Sequence, residues 1–142
     1  MKYLDTNVIV YAIENHPEYG KSCKKILKDV ESGKLKACSS MLVLVEFLNV
    51  LKKINKILEE RGEKKLDIRK NIDALLSLPI VWFELNFMII KRASEYEFNV
   101  SGVDYIHIAT MELNMVKEVI SADRELDQVD LIKRINPTSL PK

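Results

Sequence analysis

Residues 3–10 read YLDTNVIV: Tyr3 and Leu4, then the polar Asp5, Thr6 and Asn7, then a second apolar run from Val8 to Val10. Two readings of Asp5 are open. It can cap a helix that starts at Thr6, where a carboxylate accepts a hydrogen bond from a free backbone N–H. It can also stand at the carboxyl end of a short strand, residues 2–4, where open α/β sheets carry their chemistry. The second reading makes the segment the first β-α unit of a parallel sheet.

Strand-like and helix-like segments alternate through the rest of the chain. After a break at His16-Pro17, with proline suited to a first helical turn, Cys23, Ile26, Leu27 and Val30 predict a helix over Glu18–Val30 that Gly33 ends. Leu35–Cys38 reads as a strand, and Ser39 and Ser40 can cap the apolar helix MLVLVEFLNVLKKI, residues 41–54. Residues 52–70 read as solvated helix and turn broken at Gly62, and Ile68–Leu78 as a helix ending near Pro79. The run IVWF, residues 80–83, suits a buried strand with Trp82 in the core. Helices follow over Phe87–Phe98 and from Ser101 to about Asn114, then strands over Val116–Ser121 and Leu131–Ile135. The pattern predicts an α/β fold with a mainly parallel sheet, as one domain over residues 1–142.

The bulk charge is nearly balanced, with 22 basic and 21 acidic residues, so any nucleic-acid contact has to come from a local patch. Residues 52–70 hold eight basic and four acidic residues, including Lys52, Lys53, Lys64 and Lys65; the stretch reads first as an ordinary solvated helical hairpin, with an RNA-facing patch as the alternative. Cys23 and Cys38 form no CxxC and are read as reduced thiols. The longest apolar run, MLVLV, is far too short to cross a bilayer, and Asp5, Asn7 and Glu14 interrupt the N-terminal one. A cytoplasmic protein is expected.

Four acids stand where acids are unusual. Asp5 follows the first strand and Asp123 follows VKEVIS, where it can also cap the short helix RELDQ. Glu46 interrupts an apolar helix face with Leu42, Val43 and Val50 a turn away; such a carboxylate needs a partner, a lysine or arginine in the simplest case. Asp104 lies three positions after Ser101, as in a capping box. Asp127 comes one helical turn after Asp123 and can share its face. In a parallel sheet, strand carboxyl ends and the starts of the following helices gather along one edge. Clustered carboxylates repel and persist by taking up protons or by binding cations. Oxygen donors without histidine or cysteine suit Mg²⁺ or Mn²⁺ rather than zinc.

Other chemistries find less support. His16 and His107 lack a second ligand at zinc spacing, and His107 reads as a core or interface residue. No GxSxG elbow or glycine-rich phosphate loop is present. A phosphatase of the haloacid dehalogenase kind wants a second aspartate two positions after Asp5, where this chain has Asn7. A response-regulator-like receiver wants an acidic pair near the first strand and a lysine after a late one, a pattern that fits poorly. Binding of RNA or protein without catalysis is the remaining alternative. Arg124, beside Asp123, could reach a phosphate or form a surface salt bridge.

YLDTN, SSMLVLVE, VDYIHIAT and the closing ISADRELDQV…LIKRINP together resemble the PIN domain, and within it the small VapC-like ribonucleases of prokaryotic toxin–antitoxin pairs. The resemblance spans about Lys2 to Pro137. It implies a three-layer α/β/α fold around a parallel sheet of four or five strands, and an acidic pocket for Mg²⁺ or Mn²⁺. It implies catalytic roles for Asp5, Glu46, Asp104 and Asp123, with Asp5, Asp104 and Asp123 as metal ligands. Thr6 matches a supporting hydroxyl, and Ser121 and Asp127 are further supporting candidates. The expected activity is hydrolysis of RNA phosphodiester bonds. The expected partners are an RNA substrate, a second copy of the chain and a small antitoxin that inserts a peptide near the pocket.

Overall fold

The computed structural model describes residues 1–140. Five strands form one wholly parallel sheet: β1 (Lys2–Leu4), β2 (Ala37–Ser40), β3 (Ile80–Phe83), β4 (Glu118–Ile120) and β5 (Lys133–Ile135), in the order β3-β2-β1-β4-β5. The chain builds outward from β1 to β2 and β3, then crosses back to lay β4 on the other side of β1. The strand order therefore reverses between β1 and β4, the point at whose strand carboxyl ends open α/β sheets form their ligand crevice.

Side chains alternate across each strand, so one sheet serves two cores. Leu4, Ala37 and Ile120 face the layer of α1 (Thr6–Glu14), α2 (Gly20–Glu31), α3 (Met41–Glu60) and α4 (Ile68–Leu76), packing with Val8, Ile26, Val43, Phe47 and Leu75. Tyr3, Cys38 and Val119, one position away in each strand, face Ile108 and Met111 of α6 (Gly102–Leu113) and Leu126 of the 3-10 helix Arg124–Gln128. The short α5 (Phe87–Ala93) packs on α6 through Ile89, Ala93 and Ala109. The result is the three-layer α/β/α arrangement. A register slip of one residue in β1 would exchange Tyr3 and Leu4 between two differently shaped cores, which fixes the pairing.

Four helix starts, those of α1, α3, α4 and α5, are set by side-chain caps. Asp5 accepts from Thr6 N at 2.7 Å, Ser40 from Leu42 N at 3.0 Å, Asp67 from Lys70 N at 3.0 Å and Asn86 from Ile89 N at 3.0 Å. Asn15 ends α1 in the left-handed region, at φ 55°. The turn into α2 is so tight that a Cβ on Gly20 would lie 2.8 Å from the Asn15 carbonyl carbon. Gly62, at φ +68°, turns the chain after α3, and Asn55 holds that turn by bonding both the carbonyl and the N–H of Leu66, at 2.9 and 2.7 Å.

Several local expectations are corrected. Pro17 lies ahead of α2 rather than in its first turn, because a separate turn over residues 17–19 precedes Gly20. The strand expected over Leu35–Cys38 is Ala37–Ser40, which puts Ser39 in the sheet with its hydroxyl on the Leu4 carbonyl at 2.8 Å. β3 is an edge strand, so Val81 is exposed and Trp82 only half-buried against the core. The helix expected to reach Phe98 stops at Ala93, where Tyr96, Phe98 and Tyr105 stack in series instead. Cys23 and Cys38 are free and buried, and burial pushes each thiol up to about 11, so neither ionises at neutral pH. No helix among the described residues is long and apolar enough to cross a membrane.

Candidate active site

The crevice between β1 and β4 is closed underneath by a hydrogen-bonded knot. Ser121, the first residue after β4 and fully buried, donates its hydroxyl to Asp5 Oδ2 at 2.6 Å. The same oxygen of Ser121 accepts from Asn7 Nδ2 at 3.1 Å and from the backbone N–H of Asp123 at 3.0 Å. Asn7 in turn reaches Asp5 Oδ2 at 3.3 Å and accepts from Ala122 N at 3.2 Å. The first turn of α1 and the loop after β4 are thereby locked as one unit. Burial raises the Asp5 carboxyl above its ordinary value, with the Glu46 charge adding; His107 and the hydrogen bonds from Ser121 and Thr6 only partly offset this.

Asp123 caps the 3-10 helix, accepting from Glu125 N at 3.0 Å, and that turn brings Glu125 to the cleft. Asp104, Asp123 and Glu125 each offer a carboxylate oxygen, and the three atoms lie within 4.8 Å of one another. Asp104 is nearly buried, 7% exposed, while Glu125 is exposed, so the trio grades from the cleft floor to its rim. Burial, then the charges of Asp5 and Asp123, raises the Asp104 carboxyl; the Ser101 hydroxyl and His107 act the other way. Three converging hard donors with one held above its usual range fit a divalent cation, which would relieve the mutual repulsion.

The capping box expected at Ser101 does not form. The Ser101 hydroxyl donates to Asp104 Oδ2 at 2.7 Å, so it orients the carboxylate instead of accepting from the helix, and the backbone N–H of Asp104 goes to the Ser101 carbonyl at 2.9 Å.

Among the described residues Glu46 pairs with neither a lysine nor an arginine. Its Oε1 accepts from the Thr6 hydroxyl at 2.9 Å and meets His107 Nε2 at 2.7 Å. Burial alone would raise this carboxyl, but the His107 hydrogen bond and charge and the Thr6 hydroxyl outweigh it and hold Glu46 below its ordinary value. His107, one turn after Asp104 on α6, is buried; burial alone would lower it, yet Glu46, Asp5 and Asp104 raise it. The sequence suggests no role in the acidic site for His107, Asn7 or Glu125. Asn7 sits two positions from Asp5 and Glu125 two from Asp123, which is the one local signal they carry.

Asp127 turns away from the cluster. It is exposed and paired with Arg134 of β5, whose Nε and Nη2 reach its oxygens at 2.8 and 3.1 Å while Nη1 donates to the Ser121 carbonyl at 2.9 Å. The 3-10 geometry, with three residues per turn, does not keep positions 123 and 127 on one face. The Arg134 guanidinium holds the Asp127 carboxyl below its ordinary value. Arg124 is exposed. The basic stretch is solvent-facing as well, and on α3 its lysines begin about 9 Å beyond Glu46 along the helix axis.

A family model for the PIN domain matches residues 2–132. Among solved structures the fold is shared with VapBC2 from Rickettsia felis bound to a DNA fragment from their promoter, at TM-score 0.70 and 18% identity over 96% of this chain and 98% of that one. It is shared with Mycobacterium tuberculosis VapC20, a Sarcin-Ricin loop cleaving toxin, at TM-score 0.66 and 15% identity over 92% and 95% of the two chains. FitAcB from Neisseria gonorrhoeae superposes at TM-score 0.57 and 20% identity over 99% and 100%. No curated protein sequence matches the chain.

Proposed function

We propose, from the premise that this chain belongs to the PIN domain family, that its acidic crevice is the active site of a divalent-metal-dependent endoribonuclease and that the protein is the toxin of a VapBC-type pair. The observation that carries the reading is the convergence of Asp104, Asp123 and Glu125 on one point beside the Asp5–Ser121 knot. Their all-oxygen donor set favours Mg²⁺ or Mn²⁺. An ion bound there would lower the pKa of water and neutralise charge on the scissile phosphate.

The chain's own residues do the rest. Asp104, Asp123 and Glu125 would hold the ion, with Asp5 fixed next to them by three hydrogen bonds from Thr6 N, Ser121 and Asn7. Ser101 sets the rotation of Asp104 so that Oδ1 is left free of that bond. Thr6 and His107 set Glu46 in the same way. The cleft thus presents preoriented carboxylates whose reorganisation cost is met before substrate arrives.

A toxin of this kind acts on RNA, assembles as a homodimer and is silenced by a small antitoxin. The likeness to the Rickettsia and Neisseria complexes supports a protein partner. Phe87, 92% exposed, with Met88 and Ile90 on α5, leaves an apolar surface of the sort that subunit contacts cover.

The test uses purified protein, end-labelled RNA oligonucleotides, and Mg²⁺ or Mn²⁺ against EDTA, for wild type and Asp104→Asn. Cleavage that requires both the ion and Asp104 supports the reading. A folded protein that neither cleaves RNA nor binds Mn²⁺ refutes it and returns the acids to duty as caps and hydrogen-bond acceptors.

A further inference from the structure

A chain of hydrogen bonds runs from the sheet core to the cleft. The phenol of Tyr3, fully buried on β1, meets His107 Nδ1 at 2.6 Å, and His107 Nε2 meets Glu46 Oε1 at 2.7 Å. An ionised carboxylate only accepts, so Nε2 carries a hydrogen; in the neutral ring Nδ1 is then an acceptor and takes the Tyr3 hydrogen. In the neutral ring Tyr3 thus favours the tautomer that can serve Glu46; in the protonated ring both nitrogens donate, Tyr3 accepts, and Nε2 still serves Glu46.

Both donors to Glu46 use the same oxygen. Thr6, from α1, and His107, from α6, converge on Oε1 at 2.9 and 2.7 Å. Two donors from different helices fix the carboxylate's position and its rotation. Oε2 has no hydrogen-bond partner among the described residues, and no buried side-chain oxygen there is left unpaired, so Oε2 reaches solvent. An apolar residue at position 107 would fill the core without the cost of burying an imidazole, so packing does not account for the histidine.

We propose that His107 is a positioning residue: backed by Tyr3, it commits Oε1 of Glu46 and so leaves Oε2 aimed out of the protein beside Asp5, free to hold water or substrate. The proposal rests on the ribonuclease reading for its kinetic consequence, and on geometry alone for the coupling of the two residues.

The experiment measures RNA cleavage at saturating Mn²⁺ for wild type, His107→Ala, His107→Gln, Tyr3→Phe, Glu46→Gln and the His107→Ala/Glu46→Gln double variant. His107→Ala should lower kcat about 30- to 100-fold with KM changed less than about 3-fold. The double variant should lose nothing beyond Glu46→Gln alone. His107→Gln, whose amide can still donate, should recover part of the rate, and Tyr3→Phe should cost about 3- to 10-fold. If His107→Ala does not fold, the Gln and Phe variants carry the test.

A second readout is independent of catalysis: the carbon-13 signal of the Glu46 carboxyl, identified by its absence in Glu46→Gln, titrated in metal-free protein. Its midpoint should rise when His107 is replaced. The proposal is overturned by wild-type kcat in the His107 variants, by an undiminished loss in the Glu46→Gln background, or by a Glu46 signal that does not move. Failure of the wild type to cleave RNA would overturn the ribonuclease reading instead, and the Glu46 signal would then decide the coupling by itself.

Discussion

The hydroxyl of Ser121 donates to Asp5 at 2.6 Å, joining residues 116 positions apart across the point where the strand order reverses. Ser121→Ala would remove that donor and also the acceptor for Asn7 and for the Asp123 N–H. Leaving buried polar groups unpaired costs about 1–3 kcal/mol, so the variant should lose about 2–3 kcal/mol in urea unfolding. Ser121→Thr keeps the hydroxyl and should lose less. A loss below about 0.5 kcal/mol for the alanine variant would show that water replaces the knot.

Asp104 links acidity to stability. Burial and the charges of Asp5 and Asp123 put its native value above the ordinary 3.8, so the native state holds the proton more tightly than the unfolded chain. The stability gained from that proton is complete below about 3.8 and is lost as pH rises through the native value. At neutral pH in EDTA, Asp104→Asn should therefore be more stable than wild type by about 1 kcal/mol. The gap should close on acidification through that window, and saturating Mn²⁺ should reverse the order by binding only the wild type tightly. Melting curves in EDTA and in Mn²⁺, at several pH values, check both signs.

Arg134 and Asp127 form one pair but should behave differently. The Asp127 side of the pair is exposed while Arg134 is largely covered; pairs open to water on one side contribute about 1 kcal/mol, so Asp127→Asn should cost no more than about that and change Mn²⁺ affinity by less than about 3-fold. Arg134→Ala also frees the Ser121 carbonyl and the turn that carries Asp123 and Glu125. Its Mn²⁺ affinity should fall about 10-fold. Calorimetry on both variants decides, and equal effects would place the importance in the ion pair.

Glu125 stands at the rim of the acidic trio. Glu125→Gln should weaken Mn²⁺ binding about 10-fold while cleavage at saturating Mn²⁺ stays within about 3-fold of wild type. Unchanged affinity would assign the third oxygen to another residue, Asp5, whose charge acts on Asp104, being a candidate.

The parallel sheet is legible because alternation of short strands and amphipathic helices allows few other layerings. Asp5 and Asp123 are visible as strand-end acids because chain continuity alone puts them beyond β1 and β4. What lies across a cleft is another matter. Glu46 demands a partner by its spacing, but the partner is a histidine 61 positions away on α6, and no local pattern connects them. Glu125 is hidden in RELDQ, which reads as a short helix capped by Asp123 until the fold points Glu125 at Asp104. IVWF reads as buried because its composition says nothing of sheet order; β3 lies at the sheet edge and Val81 there is exposed.

The central place of β1 has a consequence for the nascent chain. β1 can pair with β2 early, but its other neighbour is β4, residues 118–120, and the site needs Ser121 and Asp123 just beyond it. Loop closure over so long a separation waits on the chain itself. A ribosome that stalls before β4 therefore releases a fragment with half a sheet and no assembled carboxylate cluster. Whatever the crevice does, it becomes able to do it only once β4 and the turn that carries Asp123 and Glu125 have left the ribosome.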